Sequence, residues 1–305
     1  MRFSISIPQF HSDGEFDPDA LRAHLRRAEE LGFEGGWTQE QVLGTKPHLG
    51  AIETLAFAAA CTTTLRLGCS VFVLPLRNPV HLAKSMATLD QMSGGRVEVG
   101  LGAGGRNRDF AAFGLSPEGL VSRFTEGLAV MRALWAEPSV TFDGRFWQLA
   151  DASMEPKPVQ KPSPPVWIGG SAPAALRRAA RLADGFFGAG STTTENFVGQ
   201  VEAVRAELVA QHRDPAGFQL AKRVYIAVDD DADRAGERMS RALRELYGPF
   251  ADTLGNVAIT GIADDCVRGI REVADAGAEM VLCTPMFDER EQMERLAAEV
   301  LPRVG

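Results

Sequence analysis

Short β-branched runs alternate with amphipathic helical stretches along nearly the whole chain, and this alternation constrains the fold more than any single motif does. Residues 3–7 read as a first strand. Asp17-Pro18 then reads as an N-cap and first-turn proline for a helix carrying Leu21, Leu25, Ala28 and Leu31 at helical spacing, closed by Gly32. Further strands are expected at 34–38, 65–73, 96–101, 166–168, 185–188, 223–228 and 280–283, and helices at 53–63, after Asn78-Pro79, and at 123–135, 174–182, 196–208, 233–246, 264–276 and 289–301. The pattern is interrupted at about 138–165, where Asp143-Gly144 reads as the turn of a hairpin and a proline-rich connection follows. Eight strands, each followed by a helix, make an α/β protein with a parallel sheet. Closure into a (β/α)8 TIM barrel is the economical arrangement, because a doubly wound open sheet would leave two long edge strands. Residues 1–305 are therefore expected to form a single domain, with insertions at the C-terminal face of the strands and pocket loops at about 106–120 and 247–260.

Composition removes several classes of function. Lys+Arg 32 against Asp+Glu 40 gives 32 − 40 = −8, and there is no dense basic block to bind a phosphate backbone, so nucleic acid is not an expected partner. No apolar run approaches the length of a membrane span, and the start is too short and polar for a signal peptide, so no membrane partner is expected and a cytoplasmic location is. Cys61, Cys69, Cys266 and Cys283 lack CxxC spacing and read as reduced, packed thiols. His11, His24, His48, His81 and His212 show neither HxH nor HExxH spacing, His24 and His212 read as surface helix residues, and no metal site is expected. Gly-x-Ser-x-Gly is absent as well. Without a nucleophile, a metal or an obvious acid-base pair, the difficult chemistry falls to a bound cofactor.

In a barrel the chemistry sits after the carboxyl ends of the strands. Gln9 follows the first strand; Gln39 and Glu40 follow the second, where a carboxylate is either a general base or a structural acceptor. The third runs through Ser70 and Val71 in an apolar wall suited to a flat ligand, or simply to the barrel core. The stretch Gly100-Leu101-Gly102-Ala103-Gly104-Gly105 satisfies GxGxxG but is followed by Arg106 rather than a helix, so it reads as backbone approaching a ligand closely rather than as a dinucleotide fingerprint. Gly169, Gly170 and Ser171, and separately Gly190 and Ser191, precede helices and offer amides and small hydroxyls to an anion such as phosphate. Arg106, Phe110, Phe113 and Phe250 fall in the pocket loops and suit an apolar or aromatic small-molecule substrate with a polar handle, although they would also pack on one another.

The chain resembles the luciferase-like monooxygenases, the bacterial-luciferase superfamily of flavin- or deazaflavin-dependent barrels. The resemblance is carried by Leu67-Gly68-Cys69-Ser70-Val71 with Arg77-Asn78-Pro79, by Leu89-Asp90-Gln91-Met92-Ser93-Gly94-Gly95-Arg96 leading into Gly100-Leu101-Gly102, by Pro165-Val166-Trp167-Ile168-Gly169-Gly170-Ser171, by Ala183-Asp184-Gly185-Phe186, and by Gly261-Ile262-Ala263-Asp264 with Ala276-Gly277-Ala278. The actinobacterial, deazaflavin-type branch is the most similar.

The resemblance implies that Ser70-Val71 lies at a bond often cis in the family and pressed against the cofactor ring. It implies that Gly102, Ala103 and Gly104 run beside that ring, and that Gly169, Gly170, Ser171, Gly190 and Ser191 belong to phosphate-binding loops. Gln39-Glu40 stands where many members carry an acid-His pair, so Glu40 becomes the candidate proton donor or base. The implied cofactor is coenzyme F420, an 8-hydroxy-5-deazaflavin that transfers hydride only, with FMN and oxygen-dependent monooxygenation as the alternative. Arg106, Arg108 and Lys222 are candidates for the polyanionic F420 tail. A homodimer is the implied assembly. Two further readings compete: a cofactor-free phosphate-binding barrel of the aldolase or isomerase kind, and a flavin-binding protein without turnover.

Overall fold

The strands that the alternation marks out form where β-branched and aromatic residues are buried on both faces, as befits a sheet covered by helices. The computed structural model of the chain describes residues 1–10, 15–105 and 110–304. In chain order it runs β1 (Arg2–Ser6), α1 (Pro18–Glu30), β2 (Gly35–Thr38), α2 (Ala51–Cys61), β3 (Arg66–Cys69), β4 (Phe72–Val73), α3 (Pro79–Ser93), β5 (Val97–Gly102) and α4 (Leu120–Ala136). The hairpin β6 (Val140–Asp143) and β7 (Gln148–Ala152) follows, then β8 (Val166–Gly169), α5 (Pro173–Leu182), β9 (Gly185–Gly188), α6 (Thr194–Ala210), β10 (Gln219–Val228) and α7 (Ala232–Tyr247). The chain closes with β11 (Ala258–Gly261), α8 (Ala263–Asp275), β12 (Met280–Thr284), α9 (Glu289–Arg295), a π-helical turn at Leu296–Val300, and α10 (Leu301–Val304). The fold class is the expected (β/α)8 barrel, with the β6–β7 hairpin inserted. The chain packs as two compact units, one of residues 1–8, 15–37 and 167–304, the other of residues 9–10, 38–105 and 110–166.

In the first unit the strands pair in parallel in the order β8, β9, β10, β12, β1, β2. One edge of the ten-residue β10 lies along β12 (221–225 on 280–284), and the other is shared: 219–222 pair with β9, and 225–228 pair with β11. β11 is a strand where a pocket loop was expected at 247–260. It is short and extends only an edge that β9 has vacated. Trp37, Trp167 and Phe187 pack with Ala221, Met280 and Leu282 into an aromatic cluster, with ring centroids 4.9–6.2 Å apart in edge-to-face geometry. Asp17 caps α1 by accepting from the Asp19 and Ala20 amides at 2.8 and 3.1 Å. The buried face of that helix is Leu21, His24, Leu25 and Ala28. His24 is therefore not the surface residue expected, because it follows Leu21 by three positions and shares its stripe.

In the second unit β3 and β4 both pair in parallel with β5. The single strand expected at 65–73 is broken: Ser70 and Val71 lie between β3 and β4, and the peptide bond joining them is cis. Asn78 caps α3 by accepting from Val80 N at 2.9 Å, and Gly94 ends that helix in the left-handed conformation at φ 69°. Trp135 of α4 donates from Nε1 to the Ala83 carbonyl at 3.0 Å, tying α4 to α3. Among the described residues no helix is long and apolar enough to cross a membrane, no acidic, His and Cys cluster could hold a metal, and the four cysteines are free.

Candidate functional site

In the second unit the break between β3 and β4 organises the strand ends. Ser70 N donates to the Thr38 carbonyl at 2.8 Å, while Ser70 Oγ is buried and has no hydrogen-bond partner among the described residues. A buried hydroxyl left unpaired is costly and marks a place where a polar ligand atom would be accommodated. Val71 reaches toward β5. A Cβ added at Gly102 would lie 2.6 Å from Val71 Cγ2, and one at Gly100 would run into the Cys69 carbonyl oxygen. These two glycines therefore make room for the chain's own Cys69–Val71 segment, rather than directly for a ligand as their spacing suggested. Ala103 is half-buried, and Gly104 is exposed at φ 78°. Arg106 and Arg108 lie outside the described residues.

Glu40 is buried, and both its oxygens are engaged. Oε2 accepts from Val73 N and Oε1 from Arg77 Nε, each at 2.5 Å. The carboxylate thus fastens the 73–77 segment that follows the Ser70–Val71 break, which is the geometry of a positioning group. Gln9, also buried, accepts from Gln39 N at 2.6 Å and donates to the Gln39 and Leu49 carbonyls at 3.0 and 2.9 Å. Gln39 meets Gln9 through its backbone. Phe110 is buried, and its carbonyl accepts from Phe113 N and Leu115 N.

In the first unit the expected phosphate loops open α5 and α6. The N-terminus of α5 has no side-chain cap, and Pro173 stands in its first turn, whereas Thr193 caps α6 through Asn196 N at 3.2 Å. Gly169 and Gly170 are half-buried, Ser171 is exposed, Gly190 is buried and Ser191 half-buried. A Cβ at Gly190 would meet the Tyr225 ring at 2.9 Å, so glycine lets this loop lie on the tyrosine. Tyr225 in turn shares a hydrogen bond with the Tyr247 hydroxyl at 2.5 Å, and burial pushes its phenol well above the usual range. Phe250 stacks edge-on against Tyr247 and is 57% exposed.

Lys222 is not available to a cofactor tail. It is 1% exposed, and Nζ donates to the carbonyls of Ala189, Thr192 and Arg223 at 2.6, 2.8 and 2.9 Å. Burial, with the neighbouring Arg223 charge, pushes its ammonium down to about 7. Arg223 itself was missed by sequence reasoning. Its guanidinium is buried and donates from Nε to Thr284 Oγ1 at 3.2 Å, while Nη2 has no partner among the described residues. The available signal was the Lys-Arg pair inside an otherwise apolar strand.

Residues 1–280 match the profile of the luciferase-like monooxygenase family. The chain is 29% identical to an F420-dependent glucose-6-phosphate dehydrogenase of Beutenbergia cavernae, over 95% of this chain and 94% of that protein. It is 27% identical to an FMNH(2)-dependent dimethylsulfone monooxygenase of Pseudomonas fluorescens, over 79% of this chain and 66% of that protein. Among solved structures, the monooxygenase RslO1 from Streptomyces bottropensis shares the fold, with a TM-score of 0.85, 24% identity and complete coverage of both chains.

Proposed function

Because this chain belongs to the luciferase-like monooxygenase family and is an oxidoreductase, we propose that it works with coenzyme F420 on a small organic substrate. The observation that carries this reading is coverage. Similarity to an F420-dependent dehydrogenase runs along 94% of that protein, against 66% for an FMNH(2)-dependent monooxygenase. The residues fit such a group: Ser70 offers a buried, unpaired hydroxyl beside Val71, and Gly102 makes room for Val71 against β5. In this proposal Ser70 and Val71, with the Gly102–Gly104 backbone, support the cofactor ring. Gly169, Gly170, Ser171, Gly190 and Ser191 are proposed as phosphate-binding loops.

Hydride exchange with the substrate is the chemistry that the coenzyme supplies when bound. The protein's part is to bind, orient and exclude water. Glu40, committed to Val73 and Arg77, holds the segment after Val71 in place instead of moving a proton. Fluorescence titrations with F420 and with FMN under matched conditions test the reading. Saturable binding at least about tenfold tighter for F420 is the expected result, equivalent to about 1.4 kcal/mol. Preference for FMN would redirect the assignment to oxygen-dependent monooxygenation, and binding of neither would favour a barrel without a redox cofactor.

A further inference from the structure

Strand β10 carries two adjacent cations, and strand alternation sends them to opposite faces. Lys222 goes to the loop carbonyls described above. Arg223 shares a face with Ala221, which belongs to the aromatic cluster of Trp37, Trp167 and Phe187. Thr284 likewise follows Leu282 of that cluster by two residues in β12, and it pairs in register with Tyr225. The guanidinium therefore occupies the layer next to the aromatic one, toward the strands' C-terminal ends. It is 7% exposed, and its Cζ lies 5.0 Å from the Tyr225 ring centroid.

This cation is incompletely satisfied. Its Nη2 is buried without a partner, and no ion pair among the described residues includes Arg223. A second cation stands one residue away. A guanidinium taken out of water without a counter-ion destabilises the fold, and such a group is tolerated where the missing charge arrives with a ligand. Thr284 Oγ1, having accepted from Nε, keeps its own hydrogen to donate. The pair thus offers donors only, with the Tyr225 ring beside the guanidinium.

We propose that Arg223 and Thr284 form a recognition site for a carboxylate on the small-molecule substrate. An ionised carboxylate accepts only, carries the single charge that one guanidinium neutralises, and matches the planar fork of the arginine. The proposal rests on the oxidoreductase reading only in taking the carboxylate to be the substrate's.

Melting temperatures of the wild type, Arg223→Met and Arg223→Lys, each with benzoate, neutral benzamide and inorganic phosphate, test the site. Benzoate should raise the wild-type melting temperature by about 2–4 °C near saturation, and benzamide should not. Arg223→Met should melt above the wild type without ligand, because the unpaired charge is gone, and should show no benzoate shift. Arg223→Lys should show a reduced one. Melting of Arg223→Met well below the wild type makes the guanidinium structural and overturns the proposal. So does a benzoate shift that is absent from the wild type, persists in Arg223→Met, or is matched by benzamide, and so does a phosphate shift larger than that of benzoate. F420 affinity should be retained in Arg223→Met; a loss greater than about tenfold would assign the residue to the cofactor instead. If the wild type binds neither F420 nor FMN while its benzoate shift stands, the cofactor reading fails and the anion site survives.

Discussion

Two strand-end loops are each fastened by a buried charge, and the manner differs. In residues 38–166, Glu40 meets a full opposite charge on Arg77 and the amide of Val73. In residues 167–304, Lys222 meets the dipoles of three backbone carbonyls and the Phe197 ring at 5.9 Å, with no opposite charge among its described contacts. An ion pair offsets much of the desolvation of its members, whereas neutral carbonyls offset less, so burial pulls the lysine toward neutrality near pH 7. Both arrangements hold a loop by its main chain, which leaves side chains such as Ser70 and Ser191 uncommitted by the fastening. The first loop is held by charge that must stay in place, the second by a group that can shed its proton without leaving its pocket.

The comparison is broken most severely at Glu40. Glu40→Ala strands the Val73 amide and the Arg77 guanidinium, and urea denaturation should show a loss of about 3–5 kcal/mol. If Glu40→Gln retains most of the stability while F420 affinity falls, the positioning role is sharpened; an affinity unchanged in both variants would leave the clamp without a part in binding. Lys222→Met orphans three carbonyls and should cost about 3 kcal/mol by the same measurement. The unfolded lysine stays protonated to 10.5 while the folded one releases its proton near 7, so folded stability rises with pH between these values. The gap between wild type and Lys222→Met should therefore widen by about 2–3 kcal/mol from pH 7 to pH 9.

His24 extends the comparison to a group that folds uncharged. Burial, reinforced by the Arg290 charge, pushes its ring from 6.5 down to about 4. Below pH 6.5 the unfolded chain takes up a proton that the folded protein refuses. The stability present above 6.5 is lost as pH falls toward 4, by about 3 kcal/mol in all, and a His24→Gln variant should flatten that dependence in denaturation midpoints. The smallest effect is expected at Gly102→Ala, whose methyl would meet Val71 Cγ2 at 2.6 Å; a loss of about 1–3 kcal/mol with weakened cofactor binding would tie the glycine to the placement of Val71.

The alternation of elements was legible because turn residues separate the strands from the helices and several helices open on a cap such as Asp17 or Asn78. The break at Ser70–Val71 was not legible in the residues of the run, where no proline stands at the bond; only the family resemblance pointed to it. β11 was missed because Ala258–Gly261 is a four-residue strand whose existence depends on a free stretch of β10 distant in sequence. His24 was readable in principle from its spacing to Leu21. Lys222 and Arg223 offered only a charged pair inside an apolar run, a signal that ordinarily reads as a solvated face, whereas β10 is covered on both faces and places its charges among carbonyls and aromatic rings.

The shared edge of β10 separates what can vary from what cannot. Where the pairing passes from β9 to β11, the Arg223 carbonyl is taken up by Lys222 Nζ, so the ladder is bridged by a side chain at the changeover. The β9 register ends at Lys222 and the β11 register begins at Tyr225. Additions or deletions at exposed positions between Tyr247 and Ala258 can remodel the rim, provided that Leu254 and Val257 keep their places against Tyr225. For anyone grafting a new specificity onto this scaffold, that segment is the natural splice site.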